Sequence, residues 1–121
     1  MIYVPISIGE YYDKLSILYI KRDKIKDIIK LEKVNKEIKE LELINKTINI
    51  NLLTELKLIN LKLWEIEDAI RIKEKHQLFN SEFIELARNV YYTNDKRCEI
   101  KNKINQELGS EIFEVKSYEK Y

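Results

Sequence analysis

The sequence predicts an all-α fold: a bundle of three to four long antiparallel helices with a short extended N-terminal arm and a short C-terminal tail. Three observations carry this. The 121 residues include only two Gly and one Pro, so few positions can interrupt a helix. Apolar residues recur at three- and four-residue steps through long stretches, with no sustained alternation. Ser, Asn and Gly stand where those stretches begin or end, which is where caps belong.

Composition narrows the class. A chain of 121 residues suits one domain, 1–121, with enough length to bury roughly two thirds of its unfolded surface. Charged residues make up 36% and apolar ones 45%, a balance that argues against a sandwich, a Gly-rich nucleotide-binding fold or a disordered chain. The 22 basic and 21 acidic residues leave a formal charge of +1, so no nucleic-acid partner is expected. Cys98 is alone, which rules out an intramolecular disulfide and reads as a small buried hydrophobe. No apolar run reaches the length of a membrane span and the N-terminus lacks a signal-peptide pattern, so the expectation is a cytoplasmic protein with no membrane insertion.

Met1 to Ile6 is apolar and β-branched, and Pro5 favours an extended arm that packs against the helices. Ser7 and Glu10 then form a capping box that starts a helix at Ile8, with Leu15, Leu18, Ile25 and Ile29 on its apolar line. Glu10, Lys14, Ile17 and Lys21 share an adjacent face. Leu31, Val34, Ile38 and Leu41 mark a second helix, or a continuation of the first, whose charges alternate in sign as on a wet face. Asn45 to Asn51 reads as a loop. A third helix runs from Leu52 to about Gln77, with Trp64, Glu67, Asp68 and Arg71 on the flank of its stripe.

The fourth helix poses the main question. It runs from Asn80 to Leu108 without Gly or Pro and closes at Gly109. Its stripe reads Phe83, Ala87, Val90, then Asn94, Arg97 and Lys101, then Ile104 and Leu108. Three polar groups interrupt it. An unpaired buried charge costs several kcal/mol, so the helix either leaves the core midway or carries a built polar site. Beyond it, Ile112, Phe113, Val115 and Tyr118 of the tail are expected to dock back.

Local chemistry is sparse. His76 falls near a helix end, as a solvated residue would, and there is no phosphate loop, H-E-x-x-H or G-x-S-x-G. Glu37-x-x-Glu40 followed by Glu65-x-x-Asp68 resembles the magnesium sites of all-α nucleoside triphosphate pyrophosphohydrolases, and such pairs on facing helices could hold a hard cation. What points to a site is convergence: three helices each bring mixed charges to or beside the apolar face, as a structural network or as a pocket.

The stretches VPISIGEYYDKLSILYIK, LWEIEDAIR, ARNVYYTNDKRCEIKNKIN and GSEIFEVKSY carry a further signal. In that order they resemble an uncharacterised family of small bacterial proteins, a domain of unknown function often found near genes for lipopolysaccharide and other surface-polysaccharide synthesis. The resemblance covers nearly the whole chain. Its polar positions fall on Glu10, Asp13, Lys14 and Lys21; on Trp64, Glu67, Asp68 and Arg71; on Arg88, Tyr91, Asn94, Asp95, Arg97 and Lys101; and on Ser110, Glu114, Lys116 and Tyr118. Tyr11 and Tyr12 stand where aliphatic residues are expected. The resemblance assigns no activity and implies a sugar-linked pathway by neighbourhood alone.

Three readings follow. In the first, Lys14, Lys21, Trp64, Arg71, Arg88, Tyr91, Asn94, Asp95, Arg97 and Lys101 line a site for an anionic metabolite, a sugar phosphate or nucleotide sugar, with Glu10, Glu67 and Asp68 as acid or base. In the second, a non-enzymatic helical module docks on a biosynthetic enzyme and its charges are structural. The third is the pyrophosphohydrolase, the only one that calls for a cofactor, magnesium. Long exposed stripes on a small bundle also suit a homodimer.

Overall fold

A computed structural model describes residues 1–44 and 47–121. It contains four helices, α1 (Ile8–Lys24), α2 (Ile28–Glu42), α3 (Ile50–Lys75) and α4 (Ser81–Leu108), and no strand among the described residues. None of these helices is long and apolar enough to cross a membrane.

The caps explain the boundaries. The Ser7 hydroxyl accepts from the Glu10 amide at 3.0 Å and starts α1. The first two helices are separate: Ile25 is extended, and the Asp27 carboxylate accepts from the Ile29 and Lys30 amides at 2.9 and 3.1 Å. Asp27 thus restarts the helix where the apolar pattern alone ran on through Ile25 and Ile29. Asn49 caps α3, which begins two residues earlier than its apolar stripe suggested, and Asn80 caps α4. Gly109 ends α4 at φ 70°, the left-handed conformation that favours glycine. Of the expected loop Asn45 to Asn51, residues 45 and 46 lie outside the described residues.

The helices run up-down-up-down, with α1 at the centre. It packs on α2, α3 and α4, whereas α2 packs on α1 alone. Ion pairs Lys73–Glu82 and Lys103–Glu55, at 2.6 and 3.4 Å, fix α3 and α4 as antiparallel neighbours. Leu15, Leu52, Leu56 and Ile104 form the main core with Tyr11 and Tyr12, and Leu18, Val34 and Ile38 seal α1 to α2. The two tyrosines bury their rings and use their hydroxyls as ties. Tyr11 donates to the Leu41 carbonyl at 2.5 Å, and Tyr12 accepts from the Asn49 amide at 2.9 Å. Each therefore anchors a neighbouring helix end, which an aliphatic residue could not do.

The terminal segments pack only in part as their apolar residues suggested: Ile112 and Phe113 are each 44% exposed, but most of the others stand clear. Met1–Val4 are 66–91% exposed, and Val115 and Tyr118 are 86% and 80% exposed. The tail is held by polar groups and, at its last residue, by the Tyr121 ring against Tyr91 and Tyr92. Asn102 donates to the Glu114 carbonyl at 3.1 Å, and Ser110 donates to the Ile112 carbonyl at 2.7 Å.

Gly9 sets how closely α1 and α4 approach. A Cβ there would press on the Lys101 carbonyl and lie 2.9 Å from Asn105 Oδ1. Overpacking of this kind costs about 1–3 kcal/mol, so Gly9→Ala should lower the unfolding free energy by that amount in urea titration. An unchanged midpoint would show that the two helices separate freely at this crossing.

Candidate functional site

The interrupted stripe of α4 is a built polar site. Asp13, on the second turn of α1, is 1% exposed and receives Arg97 in a fork: Nε donates to Oδ1 at 2.9 Å and Nη2 to Oδ2 at 2.5 Å. Asn60 of α3 donates its amide to Asp13 Oδ1 and to Ser16 Oγ, both at 2.8 Å, and Ser16 donates to the Asp13 carbonyl. One buried carboxylate therefore joins three helices.

Lys101 lies one turn beyond Arg97 and is also buried. Its ammonium is 2.7 Å from Glu10 Oε2, 2.8 Å from Glu114 Oε2 and 3.9 Å from Asp13 Oδ2. The Glu114 contact is ionic, without the angles of a hydrogen bond. Glu10 thus sends its carboxylate to Lys101 while Ser7 caps the helix. Next along α4, Asn105 accepts from the Gly9 amide at 2.6 Å, and Ser110 accepts from the Ile8 amide at 3.2 Å. The free amides that open α1 are therefore satisfied from the far end of the chain.

Electrostatics follow from these contacts. Hydrogen bonding to Asp13 outweighs burial and raises the Arg97 pKa. Burial opposes the charge on Lys101, but its contacts with Glu10 and Glu114 prevail and its pKa rises. Lys101 in turn holds the Glu114 carboxyl below the usual carboxylate range. Burial pushes the Cys98 thiol up, which keeps it protonated and a poor nucleophile. Three carboxylates, Glu10, Asp13 and Glu114, face Arg97 and Lys101, so the cluster has no surplus cation even when Lys116 beside the adjoining cleft is counted. That cleft measures about 20 Å³ and is bounded by Asn94, Arg97, Cys98, Lys101, Glu114 and Lys116.

Of the residues singled out in the sequence, the fold brings together Glu10, Asn94, Arg97 and Lys101, joined by Asp13 and Glu114 from the resemblance motifs. Asn94 accepts weakly from Arg97 Nη1 at 3.5 Å. The α3 group does not join them. Glu67, Asp68 and Arg71 are exposed, Glu67 and Arg71 form an i,i+4 pair at 3.1 Å, and Trp64 is half-buried. α3 reaches the cluster through Asn60 instead. Lys14 is exposed, Lys21 is half-buried, and neither shares the cluster's contacts. Arg88, Tyr91 and Asp95 belong to a separate tyrosine group: Arg88 lies over the Tyr92 ring at 5.8 Å, Tyr91 meets Tyr121 edge-on at 5.3 Å, and the Tyr121 hydroxyl donates to Asp95. Asn60, Ser16, Asn102 and Asn105 carry no sequence signal beyond being polar on a buried stripe. Because α2 packs on α1 and not on α3, Glu37 and Glu40 do not face Glu65 and Asp68. Among the described residues, no group of three or more His, Cys, Asp or Glu side chains converges to hold a metal.

A second concavity lies at the opposite side of α1. An apolar groove of about 1380 Å³ runs between the N-terminal arm, the first turns of α1, the last turns of α2, residues 47–49 and Leu108. Lys14, Lys33, Lys36, Glu37 and Glu40 are among its lining residues.

This arrangement can be set beside known proteins. The chain belongs to the DUF6165 family, a family of unknown function. The family's model matches residues 2–121, arm and tail included. No curated protein and no solved structure matches.

The Glu114 shift predicts an acid limb of stability. A carboxyl whose folded pKa lies below its unfolded value stabilises the fold above that unfolded value, near 4.5, and loses the contribution as pH falls through the folded one. In urea titrations, Glu114→Gln should be less stable than the native chain at pH 7, with the gap closing as pH drops below about 4.5. A gap constant across that range would remove Glu114 from the network.

Proposed function

We propose that this protein is a non-enzymatic helical module that acts through protein contacts, with its charged cluster serving as an internal lock. The observation that carries this reading is the pairing of Arg97 and Lys101, the two cations best placed to bind an anion. Both are engaged by Asp13, Glu10 and Glu114 of the same chain. A lock of this kind brings specificity of packing, because one carboxylate must meet its partners from three helices at once. The apolar groove, by contrast, exceeds the usual volume of a small-molecule pocket. Such a surface suits a packed polypeptide. A place beside surface-polysaccharide enzymes is supported by the resemblance alone.

A metabolite site is the second reading. In its favour is the cleft where Lys116 and Asn94 adjoin Lys101 and Arg97. At about 20 Å³ it has room for about one water, so an anion would reach Lys101 only by displacing Glu114.

The two readings separate on Arg97→Ala. As a lock, the variant strands the buried Asp13 carboxylate and should lose about 3–5 kcal/mol of stability. Native and variant chains should then show no ligand-dependent rise in Tm with sugar phosphates, nucleotide sugars, or magnesium with a nucleoside triphosphate. A metabolite at ten times its Kd would stabilise the native chain by about 1.4 kcal/mol. Such a rise in the native chain, absent from Arg97→Ala, would overturn the module in favour of the site.

A further inference from the structure

We infer that the groove and the outer flank of α2 receive a second copy of this chain, with the two α2 helices antiparallel about a two-fold axis between Lys36 and Glu37. This names the partner in the contact-module reading and rests on it. Helix α2 is the element with an unpartnered flank, since it packs on α1 alone. Val34 and Ile38 occupy the α1 side. Rotated away from them, Ile29, Lys33, Lys36, Glu37, Glu40 and Ile44 fall on one stripe at helical steps, Ile44 just past the helix end. The stripe is self-complementary. In an antiparallel pair centred between residues 36 and 37, Ile29 meets the twin's Ile44, Lys33 meets Glu40, and Lys36 meets Glu37. Every position faces either an apolar equal or an opposite charge, which is what an isologous two-fold contact requires. Lys33, Lys36, Glu37 and Glu40 also line the groove.

Area is consistent with a dimer. Ile29 and Ile44 are each 69% exposed, and beside them stand Leu43 and the arm residues Met1–Val4, all exposed. At roughly 60–120 Å² of apolar surface for each large side chain, the face offers on the order of 500 Å². That is about the apolar share of the roughly 800 Å² per protomer in a standard interface. The same arm that fails to pack on its own helices would be covered by the twin.

Sedimentation velocity on the full chain, up to about 100 μM, tests this. The native chain should sediment at twice its 14.6 kDa mass. Ile44→Glu should sediment as a monomer with its helical circular dichroism unchanged, since Ile44 lies at the surface of its own chain, and its Tm should no longer depend on protein concentration. Charge reversal then tests the register. Lys33→Glu with Lys36→Glu should be monomeric, as should Glu37→Lys with Glu40→Lys, and mixing the two variants should restore the dimer. A monomeric native chain overturns the inference, as does a dimer that survives Ile44→Glu or reversed charges that fail to complement. None of those results touches the contact-module reading, which fails separately if a metabolite raises the native Tm.

Discussion

The buried pairing of Asp13 with Arg97 is the constraint on which the rest of the bundle depends. A carboxylate 1% exposed is tolerated only if its oxygens are fully engaged, and here the guanidinium fork and the Asn60 amide engage them. Those groups come from α1, α4 and α3, so the charge balance and the tertiary arrangement are one requirement. Lys101 extends it to the tail through Glu114, which helps hold a segment without secondary structure while Val115 and Tyr118 face solvent.

Around this centre the chain joins its ends. Ser110 and Asn105 satisfy the Ile8 and Gly9 amides, and Gly9 has no side chain that would keep α4 from coming that close. The start of α1, the end of α4 and the beginning of the tail therefore form one joint. The family match across residues 2–121 agrees with a unit in which arm, bundle and tail are kept together. On the other side of α1, α2 is fastened by a small apolar seam and by the Tyr11 and Tyr19 hydroxyls, which reach Leu41 and Glu42. It packs on α1 alone, so its other flank stays exposed.

The sequence by itself determined the helices. The three- and four-residue periods, the capping residues Ser7 and Asn80, and the closing Gly109 are local signals, read by a few neighbouring amides. It also determined that α4 carries a polar problem, because Asn94, Arg97 and Lys101 stand on a stripe that must otherwise be apolar. Where local signals compete the pattern was less decisive: Asp27 divides α1 from α2 although the apolar line continues through it. Only the tertiary structure decided which charges meet. Glu10, Glu67 and Asp68 look alike as helical carboxylates beside an apolar stripe, yet Glu10 reaches Lys101 and the other two face solvent, because the first turns of α1 lie against the C-terminal turns of α4 while the flank of α3 turns outward. Asn60, Ser16 and Asn105 became central for the same reason: a hydrogen bond between residues far apart in the chain depends on helix order and crossing, and no local pattern encodes either.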